Sequence, residues 1–352
     1  MAYNGQLKNN EVIGALYNMI ISVQTFADNL KGGVNGEIAE LSRVDGSMYG
    51  DTKLYTAVNV PGTVAWTDDM EAGNLLQLHR PEEPNQQAIT IDTFRMVALT
   101  IDNYMTKRAF ATEGSFAQFN SVVLGTMEEA KKAYDATTFN TYLGTAKSPR
   151  ETQNIAITLG GNDQENAMTV AAEMAKLLVD VSDISRDYND LEFYRSYDKD
   201  DLIFVWNSDY VANIRKQGLP TIFHSEGLVD KFAKYVLPAK YFGTINAGGG
   251  TTSGANATVR AAKEIVLEGK HYFAGELLDN DVTYMGGDTY TQDSSVICKV
   301  IHKNSIPYMT GFRTGTEFFN PRSLTQTHYI IWSHNTLEYL ENYPMITVTA
   351  QE

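Results

Sequence analysis

Residues 88–102 read AITIDTFRMVALTID, and this stretch decides the fold. Ile89, Ile91, Val97, Leu99 and Ile101 share one parity, while Thr90, Asp92, Thr100 and Asp102 share the other. A period of two held over so long a run is a β-strand, and a long one. Residues 53–60 (KLYTAVNV) supply an antiparallel partner, and the acidic span 61–87, which contains Pro61 and Gly62, connects the two. A two-stranded ribbon is marginal by itself in water. Such a hairpin needs another surface to lie on, and a second copy of the chain is expected to provide it. The stretch therefore predicts an assembling subunit.

The remaining composition narrows the class. The chain has 352 residues, 43% of them hydrophobic and 20% charged, enough for one large or two moderate cores and unlike a disordered chain. The net charge of −15 argues against a broad grip on nucleic acid, which rests on clustered Lys and Arg. It is an ordinary means of staying soluble. The single cysteine, Cys298, lies in the apolar run 296–301. It excludes an intrachain disulfide and reads as a small buried hydrophobe. Residues 19–23 (MIISV) are too short for a signal peptide or a membrane span, so a cytoplasm-like setting and no membrane contact are expected.

Along the chain, Val12, Ile13, Leu16, Met19, Ile20, Val23 and Phe26 fall near helical spacing and end at Gly32-Gly33. After the hairpin, Ser115 and Gln118 have capping-box spacing. Phe119, Val122, Val123, Ala130, Ala133 and Tyr134 follow at helical intervals, with Glu128 and Glu129 just before Lys131 and Lys132 on a solvated face. This predicts a long helix closing near Gly144, weakened at Gly125. A second helix starts at Asn162, with Glu165 at the capping-box position and a stripe of Ala167, Val170, Ala171, Met174, Leu177, Leu178 and Val181.

From Ser185 the texture shifts to strand–helix–helix, which suggests a separate α/β lobe. Residues 201–206 (DLIFVW) read as a buried strand, Asn207-Ser208 caps a helix, and Ser225 opens another that runs through Val236 to Pro238. Residues 243–257 (GTINAGGGTTSGANA) read as a loop, and strand-like runs return at 264–267, 296–301, 327–332 and 344–349.

Motifs for chemistry are weak. The glycines Gly248, Gly249, Gly250 and Gly254 lack the Gly-Lys-Ser/Thr of a P-loop, so a flexible surface loop is expected there rather than a nucleotide site. The six histidines form no H-E-x-x-H pair, and Asp279-Asn280-Asp281 lacks the rest of a calcium loop. No catalytic residue, cofactor or metal is expected. Trp66, flanked by Asp68, Asp69 and Glu71, lies at the hairpin tip, where an aromatic beside charge marks a contact surface. Arg80, Arg95, Lys107 and Arg108 make the base of the hairpin basic, and an acidic tip with a basic base suits contacts between neighbouring copies.

In the order, length and texture of these segments the chain resembles the major capsid proteins of tailed bacteriophages, the Hong Kong 97-type fold. DDLIFVWNSDYVANIRKQG (200–218) resembles the strand-to-helix entry of that family's axial domain, and TLEYLENYPMITVTA (336–350) is similar to its closing strand. The resemblance implies an α+β fold of four parts: an N-terminal arm (1–50), an extended β-hairpin loop (51–112), a peripheral domain with a long spine helix (113–184 and 301–352) and an axial α/β domain (185–300).

It also implies a non-enzymatic subunit that forms pentamers and hexamers of an icosahedral virion shell around double-stranded DNA, assembled in the host bacterial cytoplasm. Its partners would be itself, a portal and a separate scaffolding protein, with packaged DNA nearby and not bound by sequence. Some members of the family cross-link through a lysine in the extended loop. No lysine occurs between positions 61 and 87, so a cross-link at that tip is not expected. Two alternatives stay open at this point: an encapsulin-type compartment shell, and a two-lobed cytoplasmic hydrolase.

Overall fold

The computed structural model describes residues 42–46, 51–63, 78, 80–102, 113–211, 235–246, 265–267, 270–272, 283–284 and 288–351. In chain order the elements are β1 (Arg43–Asp45), β2 (Thr52–Ala57), β3 (Asn85–Asp102), α1 (Glu113–Thr145), β4 (Asn154–Thr158), α2 (Asp163–Ser182), β5 (Leu202–Asn207), β6 (Tyr235–Leu237) and β7 (Gly243–Asn246). They continue with β8 (Ile265–Leu267), β9 (Lys270–Tyr272), β10 (Thr283–Tyr284), β11 (Asp288–Gln292), β12 (Val296–His302), β13 (Tyr308–Asn320), β14 (Thr325–Asn335) and β15 (Met345–Gln351).

Two five-stranded sheets organise these elements. The first is long and narrow, in the order β1-β13-β14-β3-β2. The second is compact, in the order β4-β15-β12-β5-β6. The compact sheet is covered on both faces. Leu202, Phe204 and Trp206 alternate with Ile203 and Val205 along β5, so the first set meets α2 and the second meets the last turns of α1. The α2 stripe read from the sequence is buried as expected. Its capping box is complete: the Asn162 side chain accepts from the Gln164 and Glu165 amides, and the Glu165 carboxylate accepts from the Asn162 amide. On the other face Phe139, Tyr142 and Leu143 of α1 meet Leu237, Ile301, Leu337 and Met345. Cys298 is buried, and burial pushes its thiol pKa up, as suits a packing residue.

Several sequence expectations need correction. The strand predicted over 88–102 extends from Asn85, and only its first third pairs with β2, from Thr52↔Thr90 to Ala57↔Asn85. From Ile91 to Asp102 it pairs with β14 of the same chain, which pairs in turn with β13. The surface this strand needed is therefore supplied largely by its own polypeptide. Only Thr52–Ala57 and residues 85–90 pair as a hairpin, and the loop assigned to 51–112 overlaps the body sheet. Strand β13 was missed because Gly311 and Gly315 interrupt it and no apolar–polar alternation runs through it.

Helix α1 begins at Glu113, which places Ser115 inside its first turn rather than at the cap. Val236 lies in β6, parallel to β5, and not in a helix. Residues 243–246 form a strand and not the start of a loop. Strands β4 and β15 share the compact sheet with β12, β5 and β6, and α2 packs on it, so boundaries at 184/185 and 300/301 run through one continuous sheet. The change of texture at Ser185 marks a loop across the end of that sheet.

Two glycines of α1 carry opposite expectations. A Cβ on Gly144 would lie 2.1 Å from the Tyr241 carbonyl oxygen, a backbone atom that cannot swing aside. A Cβ on Gly125 would meet nothing within 4 Å, at an exposed position. Gly125→Ala is expected to raise stability by about 0.5–1 kcal/mol through helix propensity, and Gly144→Ala to lower it, in urea unfolding of the dissociated subunit. Equal effects of the two changes would contradict the close approach of α1 to residue 241.

Lys299 is a charge placed inside the compact core. It is 2% exposed, and its Nζ donates to the Ala146 carbonyl just beyond the end of α1. A cation there suits the helix C-terminus, whose last turn has no basic residue of its own. Burial pulls the ammonium pKa down to about 7, with Lys147 adding to the shift and Asp293 opposing it. In the unfolded chain the amine stays protonated to about pH 10.4. Between about pH 7 and 10 the unfolded state therefore binds more protons, and stability rises with pH. Lys299→Met should flatten this rise, measured by urea unfolding at pH 7 and pH 9. A slope unchanged in the variant would assign it to another group.

Candidate assembly surface

The long sheet has two unlike faces. On the inner face Arg95, Val97, Leu99 and Ile101 of β3 stand level with Trp332, Ile330, His328 and Gln326 of β14. Helix α1 lies against this face at Arg95 and Trp332. Tyr134 makes an edge contact with Trp332, ring centroids 5.7 Å apart, and Lys131 sits 5.5 Å from the Trp332 ring centroid. Arg95 Nε donates to the Tyr134 hydroxyl at 3.0 Å, and Arg313 of β13 pairs with Glu128 of α1.

The outer face carries the other parity. It presents Phe94, Met96, Ala98 and Thr100 of β3, then Ile331, Tyr329 and Thr327 of β14, then Thr314, Thr316 and Phe318 of β13. Phe94 is 49% exposed, Met96 57% and Phe318 62%. The face continues onto the hairpin, because Leu54 of β2 lies opposite Ala88 and is 58% exposed, with Val58 and Val60 beyond it. Hydroxyl pairs Thr52–Thr90 at 2.8 Å and Thr100–Thr327 at 3.0 Å tie the strands across this face. Apolar side chains held this open on one face of a rigid sheet mark a contact surface.

Hydrogen bonds to the body fix the hairpin at its root. Gln87 donates from Nε2 to the Tyr339 carbonyl at 2.9 Å and accepts from the Glu341 amide at 3.1 Å. Asp92 accepts from the Thr336 amide and hydroxyl, both at 2.7 Å. Arg195 donates from one guanidinium nitrogen to the Val58 carbonyl at 2.8 Å and from Nε to Asn342 Oδ1 at 2.9 Å, while Asn59 Oδ1 accepts from the Tyr194 amide at 3.2 Å. The direction in which the hairpin leaves the body is thus set by side chains on both of its strands.

The predicted contact residues divide accordingly. Arg80 is exposed. Arg95 turns inward and bonds Tyr134 of its own subunit, so its guanidinium is engaged in joining β3 to α1. Trp66, Asp68, Asp69, Glu71, Lys107, Arg108, Gly248, Gly249, Gly250 and Gly254 lie outside the described residues. Sequence reasoning missed Leu54, Phe94, Met96 and Phe318. Their signal was present in β3, where Phe94 and Met96 interrupt the polar parity of Thr90, Asp92 and Thr100.

Among the described residues no group of three or more His, Cys, Asp or Glu could hold a metal ion, and no helix is long and apolar enough to cross a membrane.

This mixed α/β architecture, with a hairpin, a long helix under a narrow sheet and a compact sheet beside them, is that of phage capsid proteins. A chain in the capsid structure of Staphylococcus phage Andhra superposes with a TM-score of 0.70 at 9% identity, covering 95% of this chain and 89% of that one. A chain in the structure of head fiber and inner core protein gp22 of native bacteriophage P68 gives 0.68 at 12% identity, with the same coverages. One in the capsid structure of Cyanophage P-SCSP1u gives 0.50 at 10% identity over 94% and 93%. No curated protein matches the sequence. The family profile of Phi29-like phage major capsid proteins matches residues 4–349, and the chain belongs to that family.

Proposed function

We propose that the protein is the repeating subunit of an icosahedral shell of the Hong Kong 97 type, forming pentamers and hexamers that enclose a double-stranded DNA genome. Family membership supports the shell role, and the open outer face of the long sheet carries the assembly reading. The hairpin of one copy, with Leu54, Val58 and Val60 on one side, lies across the β13–β14 tip of a neighbour near Phe318. Burying such side chains supplies the drive for association, about 25 cal/mol per Å² of apolar surface, and the charged residues set register. Trp66 and the acids around it at the hairpin tip, with Arg80, Lys107 and Arg108 at its base, fill that second role.

The division into N-terminal arm, extended loop, peripheral and axial parts belongs to the same proposal, with the extended loop restricted to the part of the hairpin ahead of Ile91. The partners are further copies of the chain, a portal and a separate scaffolding protein. The net charge of −15 limits adhesion of packaged DNA to the inner wall. The virion is the working location and the host cytoplasm the site of assembly.

Leu54→Asp and Phe318→Asp each place a charge on an exposed position of the outer face. Each is expected to leave the far-ultraviolet circular dichroism of the subunit unchanged and to cut particle yield at least several-fold, read by size-exclusion chromatography and negative-stain microscopy. Wild-type yields from both variants would remove the outer face from assembly. A wild-type chain that stays monomeric at high concentration would remove the shell itself.

A further inference from the structure

We propose that His334 is a proton-operated latch between α1 and the long sheet: neutral, it holds the helix to the sheet, and protonated, it releases it. The hydrogen-bond pattern fixes the state of the ring. Nδ1 lies 2.8 Å from the Asn335 carbonyl oxygen, which only accepts, so Nδ1 carries the hydrogen. Nε2 is then an acceptor and takes the Tyr134 hydroxyl hydrogen at 3.0 Å. The Tyr134 oxygen accepts in turn from Arg95 Nε. The chain of hydrogen bonds from Arg95 to Tyr134 to His334 to Asn335 runs in one direction.

A proton taken from solvent onto Nε2 reverses the middle link. Two hydrogens then face each other between Nε2 and the phenol, whose oxygen already accepts from Arg95. The phenol must swing its hydrogen toward Thr138, its other side-chain partner, before it can accept from Nε2, and the imidazolium is left buried close to the Arg95 guanidinium. The surrounding charges do not cancel this. Asp135 of α1 faces the ring, yet Lys131 engages its Oδ2 and Tyr308 of β13 donates to its Oδ1 at 2.8 Å. Asp92 of β3 favours the charged ring, but its two oxygens accept from Thr336. Tyr134 and Tyr308 pack against the imidazole with ring centroids 5.5 and 5.7 Å away. Burial outweighs the help that Asp135, Asp92 and the Asn335 carbonyl give the charged ring, and it holds the His334 pKa below its usual 6.5.

The sign follows from linkage. The open joint takes up a proton near pH 6.5, and the closed joint resists it until a lower pH. The closed form therefore loses ground as pH falls from about 6.5 through the closed-state pKa, by at most about tenfold per pH unit. Above 6.5 the latch is fully closed.

Hydrogen exchange of the full chain at pH 7, 6 and 5, corrected for intrinsic rates, tests this. Protection of residues 125–145 in α1 should fall severalfold relative to α2, which packs on the other sheet. His334→Gln, which cannot be protonated in this range, should hold that ratio constant. A constant ratio in the wild type, or an equal fall in the variant, overturns the proposal. Should the Gln variant not fold, the His334 ring can be followed directly by NMR and recognised by its shift in Tyr134→Phe. A midpoint below 6.5 is expected, and one at or above 6.5 overturns the latch.

Discussion

The structure depends on one constraint: β3 keeps a period of two without a break over 18 residues. Side chains of one parity therefore stay on one side of the sheet from the hairpin to the far end of the body. A slip of one residue would exchange Ile89, Ile91 and Ile101 for Thr90, Asp92 and Asp102 at the buried face. The register with β2 and the register with β14 must then agree, because both are read from the same strand. Gln87 and Asp92 sit where the two pairings meet, and both are bonded to the 336–341 segment. The hairpin is thus an extension of the body's own sheet.

The two sheets use apolar burial differently. The compact sheet hides both faces, and every residue of β5 and of β12 is buried. The long sheet packs α1 against one face at Arg95 and Trp332 and leaves the other to alternate between threonines and large apolar groups. Such a face suits a protein whose final partner is another copy of itself. Thr, Gln and Asp dilute its hydrophobes, and it still offers Phe94, Met96 and Phe318 to an arriving surface.

Much of this was legible in the chain. The parity of residues 88–102, the α2 stripe with its Asn162–Glu165 cap, and the apolar runs at 202–206 and 296–301 all rest on local periodicity, and all appear where expected. What was not legible is non-local. Nothing in TQTHYIIWSHN states that it will pair with β3, and the glycines of β13 conceal its strand character. Arg95 looks like a surface cation by composition, and only the position of Tyr134 shows it turned inward. The compact sheet crosses the expected lobe boundary for a related reason. Texture changes where a connection changes, whereas cores divide where sheets end.

Helix α1 is shared between the two halves. Its middle turns are held to the narrow sheet at Glu128, Lys131 and Tyr134, and its final turns are locked by Phe139, Leu143 and the tight backbone approach at Gly144. A rod gripped at two places cannot tilt at one without levering the other. A load applied to the narrow sheet would travel along this axle to the compact sheet at the other end of the same molecule.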